Sequence, residues 1–496
     1  MSEPWTAPTV PALLYLRQSR FHIGTDTGGC RHPVVTLPSV GHCGTNRALT
    51  PRLAPSTLAP PLTMDRSLAD FVVAVPIIDV HEHHLPEVYL QREVNLLQLF
   101  QQSYAGWTQA RPYPLPSETR DSDPMLAATP ATTWEALAPY LESSGSSSFV
   151  RNLVNAISEL HGTDGEPRIT RGNWEALDAS VRSAHQRPGW CADVLRRAGV
   201  EQVITDPYSD PLLDAREAFG PNYHSVVRIN AFACGWHPAA RDHNGNSAHT
   251  LLRRLGIEVQ SFDDYLAALE AVVDSLAAHH QVALKNALAY DRDVHFDKPD
   301  EALARQAWGQ RTPSIAEQKA FGDLVVDRLC TLAAARDVPV QMHLGTALIR
   351  GSHPLNVAGL IERHPRTRFL LMHLAYPWSR DLLGMAFVYR NLWLDLTWSF
   401  LLSPSHFKLA LHEAIEILSD ESRLMLGGDN WHAEETYGAM QRARRLIGEV
   451  LEEKRREGYF HASDAERLAT KILRDNAIKF FDLDSLPPGA SRTLSA

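Results

Sequence analysis

The stretch Pro76-Ile77-Ile78-Asp79-Val80-His81-Glu82-His83-His84-Leu85-Pro86 closes an apolar run that begins at Phe71. Read as a strand, it places residues two apart on one face, so His81 and His83 point together. Two imidazoles held that way can chelate one divalent ion. His84 then faces the other side. A His-x-His pair alone is weak evidence in a chain with 23 histidines. Its position strengthens it, because active-site residues of parallel α/β folds collect where strands end.

The rest of the chain is compatible with such a fold. Its 496 residues suffice for one large barrel with insertions. Hydrophobic residues at 44% and charged residues at 21% are ordinary for a globular protein. A net charge of −10 argues against non-specific nucleic-acid binding. No apolar run reaches the roughly 18 residues of a membrane span. Five scattered cysteines (Cys30, Cys43, Cys191, Cys234, Cys330) fit a reduced, cytoplasmic setting better than a disulfide framework.

Residues 1–63 differ in composition from the remainder of the chain. They hold nine prolines, five arginines, no lysine and only two acids, with no hydrophobic periodicity. We read them as a disordered extension, with Met64 as the native start; an arginine-rich transit peptide is the rival reading. Cys30, His32, His42 and Cys43 match no standard zinc spacing. After the first strand, Val88–Tyr104, Trp134–Leu141, Phe149–His161 and Trp174–Arg197 carry helix-like apolar spacing. They form an insertion at about 87–198, expected to lie as a helical cap over the mouth of the fold. Strand-like runs then alternate with helices: Val200–Thr205, Ser225–Cys234, Gln281–Tyr290, Pro339–Gly345, Phe369–Leu374, Leu392–Thr397 and Arg423–Gly428. With the first, that makes eight. Alternation implies parallel strands, and eight close a (β/α)8 barrel.

Polar residues end several of these runs: His81 and His83, then Val-Ala-Leu-Lys285, Val-Gln-Met-His343, Leu-Leu-Met-His373 and Leu-Gly-Gly-Asp429. Burying one such group unpaired costs several kcal/mol. Singly, each has a bland explanation: a hydrogen-bonded core histidine, a salt-bridged lysine, a helix-capping aspartate. Six in register at strand ends do not arise easily by chance.

This pattern resembles the metal-dependent amidohydrolase superfamily over about residues 70–484. Leu284-Lys285 with Tyr290 and Arg292, Met372-His373-Leu374-Ala375-Tyr376-Pro377-Trp378-Ser379-Arg380, and Gly428-Asp429-Asn430-Trp431-His432 are similar to the amidohydrolase domain fused to glutamine-synthetase-like domains. Two cousins compete. Uronate isomerases share the opening Ile-Asp-x-His-x-His, a helical insertion and an element like Val203-Ile204-Thr205-Asp206-Pro207; zinc decarboxylases share the opening followed by Leu-Pro. Lys285 stands against both cousins, and the His343/His373 pair against the isomerases.

The resemblance implies a metal-dependent hydrolase cleaving a C–N (amide-like) or ester/lactone bond of a small anionic molecule. A sugar isomerase or a zinc-dependent decarboxylase is the alternative, and a barrel that has lost its chemistry the non-enzyme reading. It implies one or two divalent ions, zinc ahead of manganese or iron, on His81, His83, His343 and Asp429. Asp429 is the expected general base and then acid, His373 a ligand or polarising donor, and Lys285 a cation or a metal-bridging carbamate. Arg228, Tyr290, Arg292, Arg380, Trp431 and His432 are the expected substrate-binding residues. The expected partner is a small molecule, with no nucleic acid and no membrane; a homo-oligomer is compatible with all of this.

Overall fold

A computed structural model describes residues 66–84, 94–107, 128–162 and 165–483, all within one compact unit. The expected extension 1–63, with Cys30, His32, His42 and Cys43 in it, and residues 85–93, 108–127 and 163–164 lie outside the described residues.

Eight strands follow one another around a single parallel sheet in sequence order. They are β1 (Ile77–Glu82), β2 (Val200–Thr205), β3 (Tyr223–Arg228), β4 (Gln281–Asn286), β5 (Val340–Met342), β6 (Phe369–Leu371), β7 (Leu392–Asp395) and β8 (Leu424–Met425). The ring closes by backbone hydrogen bonds from Val80 N to Leu426 O (3.1 Å), Asp429 N to His81 O (2.7 Å) and His83 N to Asn430 O (2.8 Å). The protein is therefore a (β/α)8 barrel, as the alternation implied. Closure also fixes chemistry, since it ties the His-x-His segment directly to the chain around Asp429.

The strands are short and buried on both faces, as expected when helices cover a parallel sheet. Ile78, Val80, Ile204, Val226, Leu370 and Met425 pack with Ala477, Phe480 and Phe481 of the last described helix, Asn476–Phe481. No described helix is long and apolar enough to cross a membrane.

Several boundaries differ from the sequence reading, and three bear on the argument. The apolar run from Phe71 is not all strand: Arg66–Ala74 is a helix, and β1 starts at Ile77. Leu68 and Val72 are buried one turn apart while Val73 is 59% exposed, which is helical patterning. Ser225–Cys234 divides into β3 and a short helix, Asn230–Ala233. The expected helix ending at Tyr104 is resolved into Leu96–Gln101, capped by the Asn95 side chain, and Tyr104–Trp107.

Candidate functional site

His81 lies in β1 and His83 one residue past its end. Both imidazoles converge on one carboxylate oxygen: Asp429 Oδ1 is 3.4 Å from His81 Nε2 and 3.2 Å from His83 Nε2. The ligand atoms of the three residues all lie within 4.8 Å of one another. His83 Nδ1 sits 3.0 Å from the Asp206 carbonyl, so in a neutral ring Nδ1 carries the hydrogen. Nε2 then presents a lone pair to an anionic oxygen, with no hydrogen between them. A cation between the two removes that repulsion, and a carbonyl on the remote nitrogen is how metal-bound histidines are usually oriented. Burial and the neighbouring Lys285 push the His81 imidazole down to about 3, so it is neutral. Two imidazole nitrogens and one carboxylate make a donor set that fits zinc, manganese or iron.

His84 points away, as expected, bonding Tyr223 and Thr436. Asp429 reaches its position with φ of +64°, and His373 and Trp398 share that left-handed backbone at neighbouring strand ends. Non-glycine residues adopt it at a cost of roughly 1–3 kcal/mol each, and such strain gathers at functional sites.

Lys285 is buried beside this triad, with Nζ 3.5 Å from His81 Nε2 and in contact with Met372 Sδ. Burial brings its ammonium down to about 8, despite Asp206 and Asp429 nearby. His373 Nδ1 faces Thr397 O at 3.3 Å and Asp429 Oδ2 at 3.8 Å. Its Nε2 is 3.0 Å from His343 Nδ1, and His343 Nε2 is 3.3 Å from Thr346 O. Burial lowers both rings, His373 to about 4, so both are neutral. Two neutral rings carry two hydrogens for three contacts, so one contact lacks a proton. His343 therefore stands one ring behind the triad rather than within it.

The expected substrate residues separate into two groups. Trp431 stacks on His83 with centroids 5.2 Å apart, and Tyr290 lies 4.5 Å from His343. The others are engaged elsewhere. Arg228 is buried in an ion pair with Asp206 (Nη2–Oδ2 2.5 Å), Arg292 pairs with Asp323 and Arg380 with Glu413. The Arg380 side chain is 75% exposed. His432 caps the helix Ala433–Arg456 and faces Leu99 O and Glu434.

The sequence reading passed over several residues that the fold brings in. Asp206 aims His83 through its carbonyl and neutralises Arg228 through its carboxylate. Both end adjacent strands, and that adjacency was the available signal. Glu82, between the two histidines, accepts from Asn430 N, from Asn430 Nδ2 (3.0 Å) and from Thr436 Oγ1 (2.9 Å), pinning the turn that bears Asp429. Tyr104 comes from the insertion, and its hydroxyl lies 3.4 Å from Asp429 Oδ1. No local pattern marks it, since its partner is 325 residues away.

The sequence profile of the amidohydrolase family matches residues 303–483, which hold His343, His373 and Asp429 but neither His81, His83 nor Lys285. Protein fluG of Emericella nidulans is 29% identical over 296 residues, 54% of this chain, and the chain spans 33% of that relative's length. A uronate isomerase from Thermotoga maritima superposes with a TM-score of 0.64 at 15% identity, covering 84% of this chain and 96% of its own. A provisionally assigned metal-dependent hydrolase from Lactobacillus casei gives 0.61 at 15% identity, covering 85% and 99%. At these identities the two structures establish the shared fold alone.

Proposed function

We propose, for a chain that belongs to the amidohydrolase superfamily, that it is a metal-dependent hydrolase acting on a C–N or ester-like bond of a small molecule. The observation that carries this is the meeting of His81, His83 and Asp429 at the carboxyl ends of β1 and β8, with Lys285, His343 and His373 around them. His81, His83 and Asp429 would hold one divalent ion, zinc being the best match to the donor set. When bound, such an ion acts as a Lewis acid and brings the pKa of a water toward ~7.

The chain's own groups do the rest. The Asp206 carbonyl fixes the tautomer of His83 and so the direction of its lone pair. Asp429 accepts the proton of the attacking water and delivers it to the leaving nitrogen or oxygen, base first and acid second. His373, expected as a ligand or a polarising donor, faces Thr397 O with Nδ1, which leaves Nε2 for a ligand role rather than for donation to a carbonyl. Lys285 remains a buried cation beside His81; its lowered pKa also favours the neutral amine that carbamylation requires. His343 and His373, whose facing nitrogens are 3.0 Å apart and short of a hydrogen, are the candidates for a second ion. Of the residues expected to hold an anionic substrate, Arg228, Arg292 and Arg380 each have a carboxylate partner.

The test is a panel of N-acyl amines, esters, lactones and D-glucuronate, offered to zinc-reconstituted protein. Release of an acid with an amine or alcohol is expected, with Asp429→Asn slower by about 10²–10⁴-fold. Turnover of glucuronate to a ketose, with no hydrolysis across the panel, would overturn the proposal.

A further inference from the structure

The helix Ala433–Arg456 packs against the insertion helix Ser148–His161 and against the helix Arg66–Ala74. Where the three meet lies a cavity of about 410 Å³. That is the size of a small-molecule site rather than of a bare ion. None of its lining residues belongs to the His81–His83–Asp429 site. It reaches the surface, since Val73, which lines it, is 59% exposed.

The wall is basic, although the chain as a whole carries a net charge of −10. Arg442, Arg444 and Arg445 line it against one carboxylate, Glu159, which accepts from the Tyr437 hydroxyl (3.1 Å) and pairs with none of them. Arg445 pairs with Glu449 (2.6 Å). The other two have no carboxylate partner among the described residues. Arg444 is buried and donates to Ala198 O (2.6 Å) and Val75 O (2.7 Å), at the carboxyl ends of two helices, where the dipole offsets part of its charge. Arg442 lacks even that. Its Nη1 donates to Ser148 O (2.9 Å) and Ser148 Oγ (2.6 Å), and Ser148 opens its helix, the positive end of the dipole. Its Nε and Nη2 make no hydrogen bond to a described residue. Burial, with Arg445 and Arg151 nearby, brings the Arg442 guanidinium down to about 10, and burial does the same to Arg444, so both stay charged at neutral pH. Half-buried cations without an anion are costly, and an anion in the cavity relieves them. A second unpaired group stands on the same wall: Asn155 Oδ1 is buried with no hydrogen-bond partner among the described residues, a state buried acceptors rarely keep.

We infer that this cavity binds a small phosphate monoester, apart from the metal centre: Arg442 holds the phosphate oxygens beside Arg444, and Asn155 accepts from a hydroxyl of the organic part. Guanidinium matches phosphate with paired, charge-assisted hydrogen bonds. A phosphate monoester carries about −1.5 to −2 at neutral pH, which answers two arginines rather than one. The same ligand would span the seam between insertion and barrel, because Arg442 and Asn155 stand on opposite sides of it. Asn152, also on the wall, already crosses that seam by donating to Glu435 O (3.2 Å).

The test is calorimetric titration of full-length protein with ribose 5-phosphate, ribose and citrate, in phosphate-free buffer at fixed ionic strength. One ribose 5-phosphate per chain is expected to bind wild type with Kd below about 1 mM, and ribose not at all. Arg442→Gln removes the guanidinium fork, and Val73→Glu adds a carboxylate at an exposed position of the wall. Each is expected to weaken binding at least about tenfold, the loss of one hydrogen-bonded charge. Val73→Glu decides the matter if Arg442→Gln does not fold, since its site is on the surface. Asp429→Asn, which alters the metal centre, is expected to bind the ester as wild type does. Absence of binding to wild type would overturn the inference, as would wild-type affinity in folded Arg442→Gln or in Val73→Glu. Loss of binding in Asp429→Asn would place the ester on the metal centre instead, and citrate bound as tightly as ribose 5-phosphate would overturn the assigned class.

Discussion

At the scale of single residues, the site depends on a turn with no spare room. A Cβ on Gly428 would fall on Asn430 Nδ2 and Glu82 Oε1, and one on Gly427 would come within 2.7 Å of His81 N. These glycines let the chain after β8 pass close enough for Asp429 to reach both histidines. Gly428→Ala is therefore expected to cut zinc affinity at least about tenfold, because it displaces the Glu82–Asn430 bonds that hold the Asp429 turn. Competition titration with a chromophoric chelator measures this, and wild-type affinity in Gly428→Ala would contradict it. His81, His83, Lys285, His343, His373 and Asp429 were legible in sequence because each interrupts an apolar run, where an unpaired polar group is costly. Their partners were not. Asp206 with Arg228, Glu82 with Asn430 and Tyr104 with Asp429 are joined by folding alone, and no local pattern announces the pairing. Arg292 and Arg380 read as substrate ligands because a family-like motif surrounds them, yet ordinary ion pairs occupy them.

At the scale of elements, the insertion is fastened to the barrel by a buried carboxylate. Glu434, at the start of Ala433–Arg456, receives His185 Nε2 (2.6 Å) and Trp190 Nε1 (2.8 Å) from two insertion helices, with His161 at 3.9 Å and His432 at 3.3 Å. Burial would raise this carboxyl, but the histidines around it hold it well below the usual range. Removing one side of such a cluster leaves buried polar groups unpaired, at about 3–5 kcal/mol. Glu434→Ala is expected to lose that much in urea unfolding and to expose the insertion to proteolysis; a loss under about 1 kcal/mol would mean that the helices dock by apolar packing alone. The strands were easier to read than their ends. Phe71–Ala74 passed for strand because a short apolar run carries too few turns to reveal its period. The barrel itself was legible from the count and alternation of runs, which do not depend on exact boundaries.

At the scale of the whole molecule, stability and metal binding are linked. His224, in β3, is buried with its Nε2 on Gln202 Oε1 at 2.8 Å, and burial, with Arg216 and His280 adding positive charge, brings it down to about 4. The folded pKa lies below the unfolded value near 6.5, so between these pH values the unfolded chain binds the extra proton. Stability from this group is complete above pH 6.5 and drains as pH falls toward 4, by up to about 3 kcal/mol. His224→Gln should flatten that part of the urea-stability profile; parallel profiles for variant and wild type would contradict the assignment. A bound ion favours the folded state by mass action, so thermal unfolding should rise with added zinc. The most direct measurement is metal content per chain by elemental analysis, on wild type, His83→Ala and Asp429→Asn after zinc reconstitution and desalting. One or two equivalents are expected in wild type, with the loss of at least one in each variant. No retained metal in folded wild-type protein, or the same content in all three, would contradict a metal centre built on His81, His83 and Asp429.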